Sequence, residues 1–85
     1  MARYKVTFKK SVTKDFRSIP NIDVKRILKR IELLAINPRE IGCIKLSGGE
    51  RYRVRLGVYR IIYEIRDEVL LINIVKIAHR SKVYQ

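Results

Sequence analysis

The chain has 85 residues, room for a single domain over residues 1–85, and its 47% hydrophobic content is enough to bury a core, which excludes a disordered basic tail. Twenty Lys and Arg against eight Asp and Glu leave a net charge of +12, so a partner with dense negative charge is expected. The lone Cys43 excludes an internal disulfide framework and a cysteine zinc site, no secretory apolar segment opens the chain, and no apolar run reaches membrane-spanning length. A soluble, cytoplasmic protein in a reducing compartment is the expectation.

Arg3 to Phe8 alternates Tyr4, Val6 and Phe8 with Arg3, Lys5 and Thr7, the period of a half-buried strand. Ser11 or Thr13 can cap a short helix whose apolar stripe is Val12, Phe16 and Ile19, and Pro20 stops it. Asn21 or Asp23 opens a second helix with Val24, Ile27, Leu28, Ile31, Leu34 and Ala35 on one face. Its other face carries Lys25, Arg26, Lys29, Arg30 and Glu32, and Asn37-Pro38 ends it. Cys43, between Gly42 and Ile44, reads as a small packed hydrophobe in a loop over 39–50 with glycine breakers.

Three strands follow, at Arg51–Leu56, Tyr59–Arg66 and Val69–Ala78, with a tight turn at Asp67-Glu68. The last is apolar on both sides and belongs in the middle of the sheet. Strand, two-helix antiparallel hairpin, then a three-stranded antiparallel meander predicts an α+β domain, with the helices on one face of a four-stranded sheet.

The first two of these strands alternate arginine with apolar residues. Tyr52, Val54, Leu56, Tyr59, Ile61 and Tyr63 share one face; Arg51, Arg53, Arg55 and Arg60 share the other. With Gly57-Val58 as a two-residue loop, Arg55 sits opposite Arg60. Like charges directly opposed destabilise a sheet, which points to a polyanion as ligand. The antiparallel return of the last strand brings His79, Arg80 and Tyr84 near Arg60.

Standard catalytic sets are absent from the sequence. Leu46-Ser47-Gly48-Gly49 lacks the lysine and spacing of a phosphate loop, one histidine cannot supply a triad and a metal site, and the acidic residues form no ligand-like cluster. Neither a metal nor another cofactor is expected. A group of arginines can grip phosphate bidentately, and a tyrosine can stack on a base. The same group suits metal-free RNA cleavage, in which cations stabilise the phosphorane. Arginine is a poor general base because it keeps its proton, so His79 and Tyr84 are the nearby groups with useful proton chemistry. The bland alternatives are packing roles for Tyr52, Tyr59 and Tyr63, a hydrogen-bonding role for His79, and a solvated helix face for Lys25, Arg26, Lys29 and Arg30.

Taken together, Tyr4-x-Val6, Asn37-Pro38, Lys45-Leu46, Tyr52-Arg53-Val54-Arg55, Gly57-x-Tyr59-Arg60-Ile61-x-Tyr63, His79-Arg80 and Val83-Tyr84 resemble the RelE/ParE toxin superfamily on its RelE side, over nearly the whole chain. The resemblance implies the toxin of a type II toxin–antitoxin system, a ribosome-dependent endoribonuclease that cleaves mRNA in the A site by attack of a 2′-hydroxyl. It implies a cognate RelB-like antitoxin with amphipathic helices, a heterotetrameric complex, and contacts with the ribosome and mRNA through Lys25, Arg26, Lys29, Arg30, Lys45 and Arg51. Carried over by position, Arg53 and Arg55 match two basic residues, often lysines, that hold RNA and help activate the 2′-hydroxyl. Arg60 and Arg80 match arginines that stabilise the phosphorane, and Tyr84 matches a tyrosine that orients the cleaved nucleotide. With arginine in place of lysine at position 55, the base is left among Arg55, His79 and Tyr84. A ParE-like gyrase inhibitor and a non-catalytic RNA-binding module are the alternatives.

Overall fold

The computed structural model describes residues 3–39, 42–46 and 49–79. In chain order these form strand β1 (Lys5–Phe8), helices α1 (Lys10–Arg17) and α2 (Asn21–Ile36), and strands β2 (Ile44–Lys45), β3 (Arg51–Leu56), β4 (Tyr59–Arg66) and β5 (Leu71–His79). The sheet order is β1-β5-β4-β3-β2. The α+β layout is the expected one, with two differences in the sheet. A fifth strand, β2, lies inside the segment read as loop, and β1 pairs with β5 in parallel while the other neighbours are antiparallel. β2 escapes a periodicity argument because two residues contain no period.

The start of α1 differs from expectation, whereas α2 opens at Asn21, one of its two expected starts. α1 begins at Lys10, so Ser11 and Thr13 lie inside it, and α2 begins immediately after Pro20; neither helix has a side-chain cap. The Pro20 carbonyl instead accepts from the backbone N–H groups of Asp23 and Val24. β5 starts two residues later than predicted, because Asp67–Val69 forms a 3-10 turn closed by Leu70 in the left-handed region at φ 49°.

Helices and sheet meet in one core. Val12, Ile27, Ile31 and Leu34 pack on Val54, Ile61, Tyr63, Ile65, Ile72, Ile74 and Ile77. Tyr63 is fully buried, and its hydroxyl donates to the Pro38 carbonyl at 2.7 Å and lies 2.8 Å from the Cys43 sulfur. The ring of Tyr52 stacks against it at 6.0 Å. One phenol therefore ties the end of α2 and the segment before β2 to the central strand β4. The packing role expected of these tyrosines and of Cys43 holds.

β1 covers only the first half of β5, through Ile74. Beyond that point the edge of β5 is met by α1, where the Asp15 carboxylate accepts from the Ile77 N–H at 3.1 Å. Between β4 and β5 the register slips: Ile62 faces Lys76 but Tyr63 faces Ile74, so Val75 is an extra residue on β5. This β-bulge reverses which side the following residues present.

Candidate nucleic-acid interface

The β3–β4 hairpin has the anticipated register. Arg51, Arg53 and Arg55 lie opposite Glu64, Ile62 and Arg60, and Leu56 lies opposite Tyr59 across the Gly57-Val58 turn, where Gly57 has φ 60°. Strand alternation puts Val54, Ile61 and Tyr63 into the core and sends Arg51, Arg53, Arg55 and Arg60 to the face away from the helices.

The four arginines on this face are not equivalent. Arg51 donates to Glu64 at 3.4 Å, and Glu64 is also approached by Arg66 at 4.0 Å, so at this end of the face one carboxylate is shared by two guanidiniums. Arg60 is only 6% exposed, and its guanidinium donates to the Tyr59 carbonyl at 3.3 Å. Arg53 is half-buried, and its Nε is a buried donor with no acceptor among the described residues. Arg55 is exposed, directly across from Arg60. Holding two cations opposite one another and burying a donor without an acceptor both cost stability, and an anion placed over the row relieves both. A phosphate meets these demands through bidentate guanidinium contacts.

On β5 the residue opposite Arg60 is Ala78, and the residue opposite Tyr59 is His79. His79, however, goes with Tyr59 to the helix side, where the two rings meet edge-on at 5.9 Å. It lines a cavity of about 390 Å³ at the free edge of β5, together with Asp15, Tyr59, Lys76 and Ala78. The expected convergence of His79 on the arginines is therefore corrected: strand alternation sends them to opposite faces. Arg80 and Tyr84 lie outside the described residues.

The bulge at Val75 adds a residue that strand periodicity alone does not place. Counting by twos from the core residues Ile72 and Ile74 sends Lys76 inward. The extra residue instead puts Lys76 opposite Ile62, exposed on the arginine face. A lysine in the run Ile74-Val75-Lys76-Ile77 is itself the signal that could have found it.

The remaining cations are more scattered. Lys25, Arg26 and Lys29 are exposed on α2, with Arg26 near Asp23 at 3.9 Å, and Arg30 is half-buried. Lys45, exposed on β2, pairs with Tyr52, so alternation places it toward the helix side, away from the arginine row. Arg39 is engaged elsewhere. It donates to both Asp67 oxygens at 3.1 and 2.7 Å and to the Tyr52 hydroxyl at 3.2 Å, while the Tyr4 hydroxyl donates to Asp67 at 2.7 Å. The hydrogen bonds from Arg39 and then Tyr4 hold the Asp67 carboxyl down at about 2. The hydrogen bond to Asp67 and burial raise Tyr4 above the usual tyrosine range. This cluster fastens β1, the end of α2, β3 and the β4–β5 turn together, so its arginine serves the scaffold.

Among the described residues no group of three or more His, Cys, Asp or Glu side chains is placed to hold a metal, and no helix is long and apolar enough to cross a membrane.

Comparison with known proteins gives a consistent picture. Residues 4–84 match the family model for the ParE toxin of the type II parDE toxin–antitoxin system. The chain is 31% identical to RelE1 of Methanocaldococcus jannaschii, over 98% of this chain and 97% of that protein. Among solved structures, it matches a chain of the archaeal RelE–RelB complex from Pyrococcus horikoshii with a TM-score of 0.81 and 32% identity, covering 98% of this chain and 100% of the other. A chain of the RelB–RelE antitoxin–toxin complex from Methanococcus jannaschii gives a TM-score of 0.73 and 29% identity, covering 92% and 94%.

Proposed function

The chain belongs to the RelE/ParE superfamily of type II toxin–antitoxin toxins, as a RelE-like member, and from that premise we propose that it is a ribosome-dependent endoribonuclease that cuts mRNA in the A site. The observation that carries this reading is the arginine row. Arg53, Arg55 and Arg60 stand together on one sheet face, with a buried donor and an opposed cation pair that an RNA phosphate would satisfy.

In this mechanism the 2′-hydroxyl attacks the adjacent phosphorus, and charge builds on the equatorial phosphorane oxygens. Arg60, nearly buried on the central hairpin, would stabilise that charge, and burial strengthens such an electrostatic contact. Arg55 and Arg53 hold the phosphate on its flank. Arg80 and Tyr84 are proposed to complete the site by the family resemblance alone. The exposed cations Lys25, Arg26 and Lys29 would meet ribosomal RNA, and a cognate RelB-like antitoxin would be the neutralising partner. The support for that partner is that the similar solved chains come from complexes with RelB.

A second reading has one specific observation behind it: the matching family model is that of ParE. A ParE-like member would inhibit gyrase and cleave nothing. Two assays on purified protein separate the readings. Primer extension on an in vitro translation reaction is expected to show new 5′ ends within codons at the stalled A site, with gyrase supercoiling unaffected. Blocked supercoiling with intact mRNA would replace the first reading by the second.

A further inference from the structure

We propose that Lys76 is the general base of the strand cleavage, an inference that rests on the nuclease reading above. Lys76 reaches this face through a specific structural device, the extra residue Val75 that breaks the alternation of β5. β-Bulges are enriched next to active sites because they re-aim a side chain, and this one moves a lysine from the core side to the arginine side.

The placement puts an amine where the site lacks one. Arg53, Ile62 and Lys76 form one row across β3, β4 and β5, and Arg55, Arg60 and Ala78 form the next. Lys76 is thus the diagonal neighbour of Arg60, with Cα atoms about 7–8 Å apart in such a sheet. Lys76 is exposed and makes no ion pair among the described residues, whereas Arg39 pairs with Asp67, and Arg51 and Arg66 share Glu64. The charged groups facing it are Arg53 and Arg55 from β3 and Arg60 and Glu64 from β4; Asp15, on the neighbouring helix α1, is committed to the Ile77 N–H.

The chemistry divides accordingly. A guanidinium keeps its proton throughout the working pH range and stabilises charge, while an amine can exist without its proton and accept one. Lys76 Nζ takes the 2′-hydroxyl proton as the 2′ oxygen bonds to phosphorus. The bond from phosphorus to the 5′ oxygen breaks, and that oxygen takes a proton from water. The resulting hydroxide collects the proton held on Lys76. The products are a 2′,3′-cyclic phosphate and a 5′-hydroxyl, with nothing oxidised or reduced.

The test is single-turnover cleavage on mRNA-programmed ribosomes by wild type, Lys76→Ala, Lys76→Arg and Arg60→Ala, each checked for native circular dichroism and ribosome binding. General-base catalysis contributes about 10²–10⁴-fold, so Lys76→Ala and Lys76→Arg should both be at least about 100-fold slower, with Lys76→Arg binding within about two-fold of wild type. Cleavage by Lys76→Arg at the wild-type rate would overturn the proposal, since charge alone would then suffice. If Arg60→Ala is inactive while both Lys76 variants are normal, the nuclease reading stands and this assignment falls. A wild type that cuts nothing on ribosomes would overturn both.

Discussion

Arg55 and Arg60 face one another across the β3–β4 hairpin, next to its Gly57-Val58 turn. Like charges directly opposed on a sheet are unfavourable, and the proposed phosphate would neutralise them. Removing one member should therefore separate stability from function. Arg55→Ala is expected to raise the stability of the free protein by roughly 0.2–1 kcal/mol, the scale of a cross-strand pair, while weakening RNA-dependent activity. Urea unfolding and ribosome-based cleavage on the same preparation check both halves.

The same repulsion predicts a response to ions. Screening of the opposed cations should raise the melting temperature of the free protein with added NaCl. Inorganic phosphate at equal ionic strength should raise it further, because an anion that binds only the folded state stabilises it by mass action. Arg53→Ala, which removes the guanidinium with the buried Nε, should erase the difference between the two salts. Melting curves in matched chloride and phosphate buffers measure this directly.

Tyr63→Phe should destabilise the fold by about 1–3 kcal/mol, because the Pro38 carbonyl loses a buried donor while the ring still fills its place. Tyr63→Ala should cost about 3–5 kcal/mol by adding a cavity in the centre of the core. Chemical denaturation of the two variants would show whether hydroxyl and ring contribute in that order.

The Asp67 cluster predicts an acid limb. Its folded value near 2 lies below the ordinary 3.8, so its contribution to stability is present above about 4 and is lost as the pH falls toward 2. Asp67→Asn should lower the melting temperature at neutral pH and flatten its decline over that window. Thermal melts of wild type and variant from pH 2 to pH 6 test the sign.

Much of this architecture is legible in the residues. The arginine alternation around Gly57 specifies the hairpin, its register and its charged face, because a period of two leaves no other way to bury Val54, Ile61 and Tyr63. What escapes the sequence is what breaks a period or has none. β2 is too short to show alternation, β1 joins β5 in parallel through a long-range pairing, and the Val75 bulge reverses the sidedness of β5. That reversal brings Lys76 to the arginine face, and the alternation that pairs Tyr59 with His79 carries the histidine to the other. Of the candidate site, the Arg53, Arg55 and Arg60 row was legible, while Lys76 required the three-dimensional register.

Arg60 is the most buried member of the arginine row proposed to hold and cleave RNA. Single-turnover rates of mRNA cleavage in the ribosomal A site by wild type and Arg60→Ala test that role. Loss of a preorganised charge-stabilising group costs about 10²–10³-fold, so Arg60→Ala should fall by that factor while still binding ribosomes. Cleavage by Arg60→Ala at the wild-type rate would show that the arginine row does not carry the reaction.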